Sequence, residues 1–273
     1  MTSTHLETVQ VIVLFLLFLV AIFADVLAPQ SPIANDQTHT FERPSWTYPL
    51  GTDQLGRDML SRVIHGSRIS LAVGVSSVLL ALFVGVPFGM IAGYYGGRVD
   101  SLIMRAMDLI LAFPIYLLAI ILMVIFAPTA GLIGTMKVTG AIAIVRIPIY
   151  ARLVRGSVLS IKEKEYIEAC RAVGVRDPWI LLRHVLPNCL APIIVTTTLG
   201  IATSIIVEAT LSFLGLGTQP PTPSWGWDLK ANVSFIQSNP WISLFPGIAI
   251  FVTVLGFNLF GDGLRDALDP RLK

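Results

Sequence analysis

Six stretches of mostly apolar residues, at about 9–28, 69–95, 106–127, 138–156, 190–216 and 241–261, alternate with polar segments along the chain. Each is close to the roughly 20 residues that a helix needs to cross a bilayer. The pattern predicts an all-α polytopic membrane protein with six transmembrane helices. The first stretch is longer than the roughly 7–15-residue apolar centre of a secretory signal, and no basic segment precedes it. It therefore reads as a retained span. The fourth is the weakest, because it contains Arg146 and Pro148. An even number of spans, which places both termini on one side, supports it.

Between the fourth and fifth stretches lies a charged island at about 158–188. Ser160 and Glu163 have the spacing of a capping box, which predicts a helix start there. Tyr166, Ala169, Cys170 and Val173 recur at helical spacing and predict one apolar face. Lys164, Glu168 and Arg171 fall on another. Gly174 suits the left-handed position that ends a helix. Asp177 and Pro178 read as N-cap and first residue of a second short helix. Leu186 and Pro187 are expected to close that helix before the fifth span begins near Leu190. Such a helix–turn–helix held outside the bilayer can dock in a partner's groove and pass motion to the attached spans. Lying on lipid is the plainer use of an amphipathic helix.

Positive charge favours the cytoplasmic side of membrane proteins. Arg152, Arg155, Lys162, Lys164, Arg171, Arg176 and Arg183 cluster in or beside the island, whereas the two short loops on the other side carry Lys137 and Lys230 alone. This places both termini and the island in the cytoplasm. In the second span, Ala81, Gly85, Gly89 and Gly93 form a ridge of small residues that lets another helix approach closely. Another span of this chain is the simpler partner for it; a second subunit is the alternative.

Charges within spans cost roughly 2.5–3.5 kcal/mol each and need a reason. Glu208 falls about 27 Å along the fifth span and Arg146 about 15 Å from the inner end of the fourth, at 1.5 Å per residue. Both are candidates for lining a translocation path, and a hydrogen bond to a neighbouring helix is the structural alternative. Between the first two spans, Asp53 is expected to cap a helix lying on the membrane through Leu55, Met59, Leu60, Val63 and Ile64. Arg57, Asp58 and Arg62 would then face water. The proline-rich segment from Gln219 to Trp227 favours a fixed extended shape.

Only 13% of residues are charged, about half the usual soluble share of roughly 25%. The net charge of +2 sits in loops and gives no footprint for nucleic acid. Cys170 and Cys189 form no disulfide framework, and the scattered His5, His39, His65 and His184 offer no metal site. No cofactor is implied. The G-x-x-x-x-G-K-[ST] phosphate loop is missing, so the chain is not expected to hydrolyse ATP by itself.

Glu168, Ala169, Cys170, Gly174, His184, Leu186 and Pro187 have the spacing of the cytoplasmic "EAA" loop of ABC-importer permeases, with Cys170 and His184 replacing the usual Ala and Ile. Leu50–Asp58 with Ser61 and Arg62, Phe213–Gly217, Gln219–Gly226, Phe257 with Asn258, and Gly261–Pro270 are similar to segments of dipeptide, oligopeptide and nickel permeases. The chain most resembles the C-type subunit of that family, although its amino end is shorter than the usual basic tail. The resemblance implies a type I importer fold in the bacterial inner membrane. Residues 1–68 would be a first helix plus outer segment, and 69–273 a five-helix core. It further implies a heterodimer with a second permease, two cytoplasmic ATPase subunits and an extracytoplasmic substrate-binding protein. The island would be the coupling helix, with Glu168, Ala169, Cys170, Gly174, Asp177, Pro178, Leu186 and Pro187 shaping the ATPase contact. Di- or oligopeptides are the implied cargo, nickel the alternative. A secondary transporter would need midplane ion sites, and a membrane enzyme a nucleophile or metal constellation; the sequence shows neither.

Overall fold

A computed structural model describes residues 2–268, with side chains from Val11 onward. Arg271, Lys273 and the end of the Gly261–Pro270 segment lie outside the described residues. The chain is helical, in the order α1 (Thr2–Ile22), α2 (Ala24–Leu27), α3 (Met59–Tyr95), α4 (Gly97–Leu111), α5 (Ile115–Phe126), α6 (Gly131–Ile161), α7 (Glu165–Ala172), α8 (Asp177–Ile180), α9 (Leu186–Phe213), α10 (Trp225–Asn232) and α11 (Trp241–Leu268). Among the described residues, four helices are long and apolar enough to cross a membrane: Met59–Tyr95, Gly131–Ile161, Asp177–Phe213 and Trp241–Leu268.

The third expected span, 106–127, is two helices rather than one. α4 and α5 meet at an angle of 87°. Pro114 disfavours helical geometry in the residue before it and is itself extended. α4 is amphipathic and lies across the end of α6, where Arg155 grips Asp100 with two bonds of 2.5 and 2.6 Å and Arg152 pairs with Asp108. If this bent pair counts as one crossing, the spans number five, and α1 adds a shorter apolar segment, Val11–Ile22.

The small-residue ridge of α3 packs inside the chain, against α6. A Cβ on Gly85 would lie 2.7 Å from the Ile147 carbonyl oxygen and 2.9 Å from Tyr150 Cβ. One on Gly93 would lie 2.8 Å from Val158 Cβ. The two backbones therefore touch almost directly. Gly85→Val should cost about 1–3 kcal/mol of overpacking, read as a lower thermal midpoint in detergent. Gly140→Val is the control, because a Cβ there meets nothing within 4 Å; equal midpoints for the two variants would remove the ridge from the packing account.

At the end of the bundle opposite the polar loop, the segment before α3 departs from expectation. No helix starts near Gln54. The Asp53 side chain instead accepts the backbone N–H groups of Leu55 and Arg57, closing a turn that Gly56 completes at φ +70°. Asp58 is the N-cap of α3 and accepts the Ser61 N–H at 2.8 Å. Arg57, Asp58 and Arg62 are buried rather than turned to water. Arg57 pairs with Asp53, and Arg62 reaches Asp228 of α10 with its Nε 2.8 Å from Oδ1. Arg62 also donates to the Pro32 carbonyl. Trp225, fully buried beside this pair, donates to the Val63 carbonyl at 2.8 Å.

Candidate docking surface and buried charges

α6 runs on through Ser160 to Ile161, so the capping-box spacing does not start a helix there; α7 begins at Glu165. It ends with the predicted glycine geometry. Gly174 has φ +79°, its N–H donates to the Arg171 carbonyl, and the Val175 N–H reaches back to the Cys170 carbonyl. These two bonds are a Schellman closure. Asp177 is the first residue of α8 rather than its cap, one position from the expectation, with Pro178 following. α8 is not closed at Leu186 and Pro187. A π turn at Leu181–Val185 carries it into α9, giving one helix from Asp177 to Phe213. Proline lacks the N–H and crowds the preceding turn of an α-helix. The wider π turn, in which the Leu186 N–H donates to the Leu181 carbonyl, fits Pro187 without breaking the rod.

Of the predicted apolar face of α7, Cys170 alone turns inward, beside Ile167. Ile167 is fully buried and Cys170 half-buried, packing with Ile180, Val185 and Cys189 against Met90, Val154, Val158 and Ile161. Tyr166, Ala169 and Val173 face outward. With Trp179 and Leu182 they leave an apolar row uncovered: Val173 is 79%, Trp179 57% and Leu182 62% exposed. A shallow groove lined by Trp179, Leu182, Arg183 and Pro187 continues it, with the Arg183 guanidinium 5.7 Å above the Trp179 ring. Glu168, Gly174 and Pro178 are exposed beside this row; Asp177 and Leu186 are half-buried.

Tyr94, in the last turn of α3, ties both loop helices to the bundle. Its hydroxyl donates to Asp177 Oδ1 at 2.8 Å and accepts from Arg171 Nε at 3.2 Å. The Arg171 guanidinium stacks 4.8 Å from the ring centre. Lys162 adds a 3.0 Å bond to the Gly93 carbonyl. Sequence reading passed over Tyr94, because nothing local distinguishes a tyrosine at a span end from an interfacial anchor.

The two span charges do not meet. Glu208 is fully buried between α3 and α9; Ser70 donates to one carboxyl oxygen at 3.1 Å and Ser212 to the other at 2.8 Å. It faces no open space in this conformation. Arg146, 9% exposed, donates to the Thr203 hydroxyl on α9. Among the described residues, no group of His, Cys, Asp and Glu could hold a metal ion.

A family model described as the binding-protein-dependent transport system inner membrane component matches residues 85–273. The chain is 47% identical to the dipeptide transport system permease protein DppC of Alkalihalophilus pseudofirmus, over 99% of this chain and 88% of that protein. It is 46% identical to the glutathione transport system permease protein GsiD of Pectobacterium atrosepticum, over 98% of this chain and 88% of that one. Its fold is similar to a chain of the MetNI methionine ABC transporter, with a TM-score of 0.62, 17% identity, and coverage of 77% of this chain and 98% of that chain.

Proposed function

Because the chain belongs to the family of binding-protein-dependent transport system inner membrane components, we propose that it forms, with a second permease, the membrane path of an ATP-driven importer of di- and tripeptide-sized cargo. The single observation that carries the cargo is the 47% identity, along nearly the whole chain, to a dipeptide permease. The glutathione permease at 46% fits the same size class, glutathione being a tripeptide. Both termini and the α7–α8 loop lie in the cytoplasm in this reading, on the strength of the basic residues around the loop. The exposed row from Tyr166 to Leu182 is the surface that one of two ATPase subunits covers. A binding protein delivers cargo at the opposite end, where Arg62 fastens α10 and the segment before α3 into a cap through Asp228 and the Pro32 carbonyl.

Uptake by cells lacking this gene, with and without the gene restored, tests the cargo. Labelled dipeptide and glutathione should enter only in the complemented cells. Restoration of nickel uptake alone would move the chain to the metal branch and leave the docking account intact.

The Tyr94 link adds a prediction. Tyr94→Phe keeps the ring beneath Arg171 and removes two hydrogen bonds, each worth about 1.5–3 kcal/mol when a charged group takes part. It should lower ATP-driven uptake several-fold while the assembled complex still hydrolyses ATP. Uptake equal to that of the unmutated chain would show that the link does not transmit the ATPase stroke.

A further inference from the structure

Arg146 sits at the midpoint of α6, with fifteen residues of the helix on either side. At 1.5 Å per residue this is about 22 Å from each helix end, the depth at which an uncompensated cation is costly. Arg57, Arg62, Arg68, Arg152 and Arg155 each pair with an aspartate. Arg146 pairs with no carboxylate among the described residues, although it is nine-tenths buried. A guanidinium offers five N–H donors, and among the described residues the only side-chain acceptor that meets Arg146 is the Thr203 hydroxyl. Glu208 is not its counter-ion: no ion pair or hydrogen bond joins the two, and the Glu208 oxygens meet Ser70 and Ser212 instead.

Polar side chains of α6 and α9 gather around Arg146. Tyr150, one turn along α6, is fully buried with its hydroxyl turned toward Thr197 of α9. Gly200 of α9 leaves the room: a Cβ there would lie 2.6 Å from Tyr150 Oη and 3.4 Å from Arg146 Nη1. Thr203 is exposed, so this polar group reaches the surface of the chain at membrane depth.

We propose that Arg146, backed by Thr203 and Tyr150, is a carboxylate-binding station halfway across the membrane, and that it takes the terminal carboxylate of the passing peptide. This rests on the peptide-import reading above. A guanidinium meets a carboxylate with two parallel N–H···O bonds, which neither a hydroxyl nor a lysine reproduces. One such contact in a site that later opens to water holds cargo firmly enough to admit it and loosely enough to release it, the balance that conduction needs.

The test compares the complete transporter carrying the unmutated chain, Arg146→Lys or Arg146→Gln, in cells otherwise lacking this gene. Labelled dipeptide uptake and co-purification of the second permease are measured together. The unmutated chain reports on peptide import by itself; if it restores none, the cargo reading fails before the variants are compared. Given that uptake, Arg146→Gln should lower it about tenfold, the effect of losing about 1.4 kcal/mol, with the complex intact. Arg146→Lys should retain more than Arg146→Gln, because the charge remains. Two results would overturn the station. Unchanged uptake in Arg146→Gln removes the residue from the path. Loss of the second permease from the purified complex assigns the guanidinium to a carboxylate of that subunit instead.

Discussion

Gly174→Pro should abolish ATP-driven uptake while the protein still inserts and accumulates in the membrane. Proline fixes φ near −65°, whereas Gly174 stands at +79° and uses its N–H to close α7 on the Arg171 carbonyl. The variant must therefore unwind the turn between α7 and α8. The site is fully exposed to substitution in space, since a Cβ on Gly174 meets nothing within 4 Å. The buried contacts of Ile167 and Ile180 lie on either side of the turn, so the bundle itself has no reason to fail. Gly174→Ala keeps the N–H and adds only the left-handed strain of about 1–2 kcal/mol, and should transport at a reduced rate. The measurement is dipeptide uptake normalised to the amount of membrane-inserted chain. Normal uptake by Gly174→Pro would remove the docking role from this loop.

The second large effect concerns stability. Asp228→Ala leaves Arg62 buried without its partner, at a cost of about 3–5 kcal/mol. Arg62 is 1% exposed and cannot swing to water without opening the cap. It would still hold the Pro32 carbonyl, which does not neutralise its charge. A lower thermal midpoint and poorer recovery from detergent are expected. The double variant Arg62→Met with Asp228→Leu should recover much of the loss, since apolar replacements of a buried pair are often neutral or stabilising. A midpoint for Asp228→Ala equal to that of the unmutated chain would show that the pair does not hold the cap.

These outcomes draw on features of different legibility. Three of the four long spans were readable from apolar length alone; the fourth stretch, 138–156, interrupted by Arg146 and Pro148, was the weakest and drew its support from the even count. The packing use of Gly85, Gly89 and Gly93 was readable because small residues on one helical face admit a backbone. Gly174 was readable because few other residues accept its geometry. The inward face of α7 was not. Tyr166, Ala169, Cys170 and Val173 share one helical stripe with Ile167 at its edge, and only the neighbouring ends of α3 and α6 decide which part of it is covered. Arg62 and Asp228 are 166 residues apart in sequence, so a pair that buries both could not be distinguished from two solvated charges. The bend at Pro114 was visible as a proline, but the apolar run on both sides of it concealed the change of direction. The π turn before Pro187 left no local mark beyond the proline itself.

The direct backbone contact between α3 and α6 has a mechanical consequence. Where helices meet through side chains, rotamer changes let one slide against the other. Between Gly85 and Ile147, or Gly93 and Val158, there are few such torsions to relax, and close-packed interiors pass strain on rather than absorb it. α3 and α6 therefore form a stiff two-helix plate, to which the α7–α8 loop is fastened twice, at Tyr94 and at Ile161. A force applied to the loop displaces the plate as a unit, and the compliance of the molecule lies in the softer, side-chain-mediated seams around it.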